Sequence, residues 1–273
     1  MGIVDAHVHV WDADAFPIPW FRDDLGLPRV SAPDAFRDAA VPLGVSAGVA
    51  VQVADSVEEA RWLTAVTATD QVLTRAVLQY EPAPGRPLGA TAFDGAAFRG
   101  IRAAIPQFAA DLSDVPGLDA LTDALGATGR VLEILVRPEQ LEGAAALARR
   151  HPATSIVLCH LGLGHGAATE TWRSGLAAFA AEPNAHAKFS GLLSPARTDA
   201  ELSALARTAT ALFGADRLMF GSDWPMSART HTYAQIVDAV SRAMPDAPAF
   251  WSGTATRLYP LPCPGSRLPG PGS

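Results

Sequence analysis

Val4-Asp5-Ala6-His7-Val8-His9, near the start of the chain, is the stretch that decides the fold prediction. Its apolar residues and its alternation predict a strand in which Asp5, His7 and His9 share one face. Two imidazoles on one face can hold a divalent metal or hydrogen-bond the oxygens of a substrate. A pair of structural histidines is the alternative, because an isolated His-x-His motif does not decide between these roles.

Seven further short apolar runs complete a set of eight predicted strands. The eight are predicted at residues 2–6, 47–53, 72–79, 98–103, 131–136, 155–159, 185–190 and 217–221. Segments with helical periodicity lie between most of them, at residues 57–68, 138–150, 170–181, 199–213 and 233–244. This alternation predicts an α/β fold, a single (β/α)8 barrel of the TIM type, with its active site at the C-terminal strand ends. The 273 residues are close to the ~250 that are typical of one such barrel.

Two long loops and the end of the chain lie outside this alternation. Loop 11–33 carries Trp11 and Trp20, and loop 81–94 is rich in Pro and Gly. Long loops that follow barrel strands are typical of lids and pocket walls, so we expect loop 11–33 to cover the site. We also expect one barrel domain over residues 1–259, followed by a Pro/Gly-rich tail at 260–273 that is disordered because it cannot build a core.

The composition excludes several classes of partner. The net charge is −7 and the chain has no run of basic residues, so a nucleic-acid partner is not expected. The sequence contains neither a signal-peptide pattern nor an apolar run of about 18 residues, so no membrane association is expected. Its two cysteines, Cys159 and Cys263, do not suggest a disulfide framework. We therefore expect a cytoplasmic protein with a small-molecule substrate, and a homo-oligomer stays open.

Two further strand ends carry polar residues. His160 follows the strand at 155–159, and Asp223 follows the strand at 217–221. At the C-terminal strand ends of a barrel such residues are typically catalytic. Asp223 could accept a proton from an attacking water while the imidazoles polarise a carbonyl or bind a metal. A helix cap for Asp223 and a turn histidine for His160 are the alternatives, but convergence at one rim favours function.

Three charged residues interrupt apolar strands: Arg102, Glu133 and Lys188. A buried charge needs a partner, and Arg102 is suited to gripping a carboxylate at two points. Lys188 is the only lysine among 21 basic residues. In such a chain a lone lysine indicates a role that the planar group of arginine does not fill. A simple ion pair of Glu133 with Lys188 or Arg102 is the alternative.

Several motifs, in order along the chain, together resemble the amidohydrolase-related (amidohydrolase 2) lactonases, a family that includes the L-fuconolactone and L-rhamnonolactone hydrolases and 2-pyrone-4,6-dicarboxylate lactonase. The motifs are Asp5-Ala6-His7-Val8-His9-Val10-Trp11-Asp12, Gly100-Ile101-Arg102, Cys159-His160-Leu161-Gly162, Lys188-Phe189-Ser190-Gly191-Leu192, Phe220-Gly221-Ser222-Asp223-Trp224-Pro225 and Gly253-Thr254-Ala255-Thr256-Arg257-Leu258-Tyr259. The resemblance extends over almost the whole chain up to Tyr259. Two positions depart from the usual family pattern, which more often has Gln at Val8 and Asp at Cys159.

The resemblance implies a distorted amidohydrolase-type barrel that hydrolyses the lactone of a sugar acid or of a dicarboxylate. It implies that Asp223 is the base that activates water and that His7, His9 and His160 surround the lactone carbonyl or a metal. Substrate contacts are expected from Arg102 and, by our own inference, from Lys188, Trp11, Trp20 and Trp224. A related decarboxylase of aromatic or enoic acids and a non-catalytic barrel that binds a sugar acid are the alternatives.

The lysine count also limits the metal content. Two-metal amidohydrolases commonly bridge their ions through a carbamylated lysine on a middle strand, whereas Lys188 lies on the predicted seventh strand. We therefore expect either one divalent ion, zinc being the candidate, or no metal. Its ligands would come from His7, His9 and Asp223, with Glu133 or His160 as further candidates.

This expectation predicts a metal content of at most one ion per chain in protein purified without chelators, measured by elemental analysis. A value near two would contradict it. Activity that survives exhaustive chelation would assign the reaction to the side chains alone, whereas recovery of lost activity on adding zinc would support a single catalytic ion.

Overall fold

Strands and helices alternate along the computed structural model, which describes residues 2–82, 98–244 and 247–261. Eight strands of this described part form one sheet in which every neighbouring pair is parallel. We label them β1 (Ile3–Val8), β2 (Val45–Val51), β3 (Leu73–Tyr80), β4 (Phe98–Ala104), β5 (Val131–Leu135), β6 (Ile156–Leu158), β7 (Ala185–Phe189) and β8 (Leu218–Phe220). All eight predicted strands are present, with ends displaced by one to a few residues.

Hydrogen bonds between β1 and the segment that follows β8 bring the two edges of the sheet together. The amide of Asp223 donates to the carbonyl of His7 at 2.9 Å, and the amide of His9 donates to the carbonyl of Trp224 at 2.6 Å. Val8 and Trp224 form a parallel bridge at the same place. We call this junction the seam. The sheet is therefore a nearly closed barrel, and the predicted (β/α)8 fold is confirmed.

The helices surround this barrel. They are α1 (Pro33–Ala40), α2 (Val57–Thr69), α3 (Leu118–Ala127), α4 (Leu141–Arg150), α5 (Glu170–Ala180), α6 (Asp199–Phe213), α7 (Tyr233–Ala243) and α8 (Thr254–Leu258). The five predicted helices are confirmed, although the start of the fourth is a separate 3-10 turn, Pro138–Gln140. Side-chain caps explain several starts: Thr198 and Glu201, for example, form a capping box at α6. No helix within the described ranges is long and apolar enough to cross a bilayer.

Two apolar layers fill the structure. Small branched residues fill the barrel interior, among them Val49, Val77 and Val157, and Tyr259 packs in the same cluster. A second cluster lies between the strands and the surrounding helices, which is why most strands are buried on both faces. The predicted tail lies outside the described residues from residue 262 onward, as does the predicted loop 81–94 from residue 83 onward.

Residues 11–33, which we call the cap, fold back over one end of the barrel. Trp11 lies in a small apolar cluster with Val53 and Ala54, against which Trp20 and Met226 pack. The Trp20 indole N–H donates to the carbonyl of Val53 at 2.8 Å. Residues 53 and 54 follow β2 and Met226 follows β8, so the cap covers the C-terminal strand ends, where we expected it.

Asp5 differs from the sequence-based expectation. Its carboxylate accepts the amides of His7 at 3.1 Å and Ser222 at 2.9 Å, and it accepts the Tyr233 hydroxyl at 2.8 Å. It is therefore bonded to α7 and the seam instead of sharing the face of His7 and His9. The register of β1 is irregular between Asp5 and Val8, and this breaks the alternation on which the prediction relied.

The burial of Asp5 predicts a pH-dependent stability. Burial raises the pKa of Asp5 from 3.8 to about 6, although its hydrogen bonds act against this shift. The protonated carboxyl therefore stabilises the fold below pH 3.8, and this contribution is lost as the pH rises through about 6. In Asp5→Asn the amide can donate to Tyr233 without titrating. The stability of wild type relative to this variant should fall by about 3 kcal/mol between these limits, at ~1.36 kcal/mol per pKa unit.

Urea unfolding at several pH values measures this difference. Tyr233→Phe is the matched control, because it removes one hydrogen bond that lowers the pKa of Asp5 and should therefore move the loss to higher pH. A difference between wild type and Asp5→Asn that does not change with pH would contradict the prediction.

Candidate functional site

Four predicted site residues meet at the C-terminal strand ends. His7 and His9 lie at the end of β1, His160 follows β6, and Asp223 follows β8. His160 and Asp223 have positive φ angles of 54° and 58°, a conformation that residues other than glycine rarely adopt. Backbone strain of this kind is concentrated at functional sites because the surrounding structure must hold it in place.

The four side chains converge on one carboxylate oxygen, and we call them the Asp223 cluster. The Nε2 atoms of His7, His9 and His160 lie 3.6, 3.5 and 3.9 Å from Asp223 Oδ1. The Nε2 atoms of His7 and His9 are 3.2 Å apart. These distances gather one carboxylate and three imidazole groups around a single point.

Electrostatics keep the Asp223 carboxylate ionised and the imidazoles of His7 and His160 neutral near pH 7. Burial alone would raise the pKa of Asp223, but His160, His9 and Arg102 outweigh it and the pKa lies below its ordinary value. Burial lowers the pKa of His160 despite the opposing effect of Asp223. Burial and the nearby Lys188 hold the pKa of His7 well below its ordinary value. The cluster therefore combines a proton acceptor with neutral imidazoles.

His7, His9 and Asp223 fit a divalent metal. Tetrahedral ligands at the usual zinc distances are about 3.4 Å from one another, close to the 3.2, 3.5 and 3.6 Å seen here. His9 also has the outer contact that a metal-binding histidine usually has, since its Nδ1 lies 2.7 Å from the carbonyl oxygen of Val51. A proton on Nδ1 leaves the Nε2 lone pair of His9 directed into the cluster.

Arg102 is held beside the cluster by neutral acceptors. Its Nε donates to the side-chain oxygen of Gln79 at 2.7 Å, and its Nη2 donates to the carbonyl of Gln52 at 2.8 Å. The Gln52 side chain in turn accepts the amide of Gln79 at 2.9 Å. The structure thus brings Arg102 to the predicted place. Gln52 and Gln79 were missed, although their position at the ends of β2 and β3 is the signal that identified Asp223.

Lys188 and Glu133 form a separate buried group behind His7. Lys188 Nζ lies 2.6 Å from Glu133 Oε1, and the Tyr259 hydroxyl donates to the same oxygen at 2.6 Å. Cys159 Sγ lies 3.6 Å from the other oxygen of Glu133. Lys188 Nζ also lies 3.4 Å from Nδ1 of His7, the ring nitrogen that faces away from the cluster. Substrate contact by Lys188 stays a prediction, and Glu133 lies with Lys188 instead of with Asp223.

The three tryptophans predicted to bind substrate occupy different places. Trp11 is fully buried in the cap, where its indole donates to the carbonyl of Pro28 at 3.0 Å. Trp20 is partly exposed and joins the cap to Val53. Trp224 is next to Asp223 and packs edge-on against Tyr233, and its buried indole nitrogen has no hydrogen-bond partner among the described residues.

Comparisons with known proteins agree with the barrel and its motifs. The family model described as Amidohydrolase matches residues 4–261. L-fucono-1,5-lactonase of Burkholderia multivorans is 31% identical over 287 aligned positions, covering 96% of this chain and 97% of that protein. L-fucono-1,5-lactonase of Burkholderia ambifaria is 32% identical, covering 82% and 80%. A crystal structure of an amidohydrolase from Burkholderia multivorans with bound zinc superposes with a TM-score of 0.84 at 29% identity, covering 96% of this chain and all of that one.

The position of the cap predicts that it senses the ligand. The intrinsic tryptophan fluorescence should change on addition of substrate or product, and Trp20→Phe should lose most of the change because Trp20 joins the cap to Val53. Trp251→Phe is the matched control and should retain it, because Trp251 packs against Phe220 and Phe250 and lies outside the cap. A response that persists in Trp20→Phe and disappears in Trp251→Phe would contradict this assignment.

Proposed function

Since the chain belongs to the amidohydrolase family, it is a hydrolase, and we propose that it opens the lactone ring of a sugar acid. The observation that carries the proposal is the convergence of three imidazoles on the carboxylate of Asp223. Lactone hydrolysis needs a group that takes a proton from water and groups that stabilise negative charge on the carbonyl oxygen. The Asp223 cluster contains both. L-fucono-1,5-lactone, named for two relatives, is the first substrate to test.

The proposed reaction assigns each step to a side chain. Asp223 holds the water molecule and accepts one of its protons as the water oxygen bonds to the lactone carbonyl carbon. Imidazole N–H groups of the cluster donate to the carbonyl oxygen while it carries negative charge. The bond from that carbon to the ring oxygen then breaks, and the proton held on Asp223 passes to the leaving oxygen as the carbonyl re-forms. The products are an open-chain acid and a hydroxyl group, and Asp223 is again ionised.

A divalent ion is compatible with this scheme. We propose that His7, His9 and Asp223 would hold it, as their mutual distances allow. The choice of zinc rests on the Burkholderia multivorans structure with bound zinc. When bound, such an ion supplies Lewis-acid polarisation of the carbonyl. His160 then remains to donate to the substrate, with its Nδ1 oriented by the Ser190 hydroxyl at 2.9 Å.

The charges around the cluster favour a neutral, hydroxylated lactone over a dicarboxylate. Glu133 neutralises Lys188. Among the described residues near the cluster, Arg102 is then the remaining cation, and it is held by neutral oxygens. One such cation, held by the neutral oxygens of Gln79 and Gln52, suits a substrate with hydroxyl groups better than one with two carboxylates. A dicarboxylate would call for more positive charge, because each buried carboxylate needs a partner.

A lactone panel tests the proposal directly. Purified protein is assayed with a pH indicator against L-fucono-1,5-lactone, other aldonolactones and 2-pyrone-4,6-dicarboxylate, and in parallel for carbon dioxide release from dihydroxybenzoates. Acid production from aldonolactones is the expected result. Carbon dioxide release without acid production would favour the decarboxylase, and no turnover with any compound would favour a binding protein.

Asp223→Asn should remain folded and lose at least ~10²-fold in kcat, the typical scale for a general base. The KM should change less, because the amide keeps the shape of the carboxylate. Asp216→Asn is the matched control: Asp216 is exposed just before β8, at the opposite end of the strand that Asp223 follows. Retained activity in a folded Asp223→Asn protein would show that another group is the base.

A further inference from the structure

The ring nitrogens of His7 and His9 face different outer partners. Nδ1 of His9 faces the carbonyl oxygen of Val51, which can only accept a hydrogen bond. Nδ1 of His7 instead faces the ammonium group of Lys188 at 3.4 Å, which can only donate. The two histidines of one His-x-His motif are therefore oriented by opposite chemistry.

We propose that Lys188 is a positioning residue that fixes His7 in the tautomer with its proton on Nε2. His7 is then a hydrogen-bond donor in the cluster, and Lys188 opposes its binding to a metal. In this arrangement Lys188 donates to His7 Nδ1, His7 Nε2–H donates to His9 Nε2 at 3.2 Å, and His9 Nδ1–H donates to Val51. Every nitrogen in this series then has the role that its neighbour requires.

The environment of Lys188 keeps its ammonium group in place. Lys188 and Glu133 both have 0% exposed side chains, and their N–O distance is 2.6 Å. The Tyr259 hydroxyl also donates to Glu133, and the Tyr259 ring centroid lies 5.5 Å from Lys188 Nζ. One ammonium hydrogen is used by Glu133, and another is left to point at His7. Arginine at this position would place a wider planar group against His7, which accounts for the single lysine of the chain.

The consequence concerns how a metal would bind. A histidine that binds a metal through Nε2 usually donates its other N–H to a carboxylate, a carbonyl or water. His9 meets this condition, whereas His7 would have to place an N–H against the Lys188 ammonium group. The metal affinity of the cluster is therefore limited by Lys188, and the Nε2–H of His7 remains a donor within the cluster. This step rests on the metal ligands given under the proposed function, but the tautomer of His7 does not.

Nitrogen NMR of chelator-treated protein labelled with 15N-histidine reads the tautomers directly. The wild-type spectrum should show His7 protonated at Nε2 and His9 protonated at Nδ1, with His7 assigned by its loss in His7→Gln. The spectrum of wild-type protein decides this part without any change to Lys188. Protonation of His7 at Nδ1 would overturn the inference whatever reaction the protein catalyses.

Metal binding gives a second readout with a double variant. Changing Lys188 or Glu133 alone would leave the other charge buried and unpaired, so wild type is compared with the double variant Lys188→Met/Glu133→Gln. Removing the ammonium group should raise the zinc affinity by about tenfold or more, the scale for an outer-shell partner, in titration against a zinc-binding dye. It should also release His7 into a mixture of tautomers while His9 stays unchanged. Equal zinc affinities in the two proteins would overturn the claim that Lys188 opposes the metal.

Discussion

The hydrogen bonds across the seam are the constraint on which the rest of the structure depends. His7 and Asp223 are far apart in the sequence, and the bond from the Asp223 amide to the His7 carbonyl makes them neighbours. Gly221 permits this approach, since a Cβ there would come within 2.8 Å of the His7 Cβ and 2.9 Å of the Ser190 Cβ. Asp5 holds the same junction by accepting amides from both sides of it. If the seam opened, the carboxylate would leave the histidines.

The barrel interior keeps two buried charge systems apart. Glu133 and Lys188 pair at 2.6 Å, although the ammonium group still lowers the pKa of His7. Asp223 has no such paired counter-charge in the described structure, and His160, His9 and Arg102 together lower its pKa despite its burial. Removing one partner of the Glu133–Lys188 ion pair would destabilise the fold by ~3–5 kcal/mol. The second system leaves an anion available for proton transfer, which is why Asp223 and not Glu133 is the base in our proposal.

The sequence predicted the parts that depend on local pattern. Short apolar runs between helical segments located all eight strands, and the rule that polar residues at the C-terminal strand ends are typically catalytic singled out His160 and Asp223. The side of Asp5 could not be predicted, because the irregular register of β1 changes the alternation. The partner of Lys188 could not be chosen either: Glu133 and Lys188 lie on β5 and β7, and their pairing depends on how the barrel closes. Helices α1, α3 and α8 were absent from the prediction, because segments of 8, 10 and 5 residues contain few helical turns from which to recognise a pattern.

The outer hydrogen bonds give a physical reason why one barrel can serve with a metal or without one. The ligand atoms of His7, His9 and Asp223 are spaced for an ion, but spacing alone does not determine affinity. A metal-binding imidazole almost always donates its other N–H to an acceptor in a hydrogen bond. Val51 accepts from His9, and Lys188 does not accept from His7. A single change behind the cluster, at the residue facing Nδ1 of His7, could therefore shift a barrel of this kind between charge stabilisation by hydrogen bonds and Lewis-acid catalysis, with every residue of the cluster unchanged.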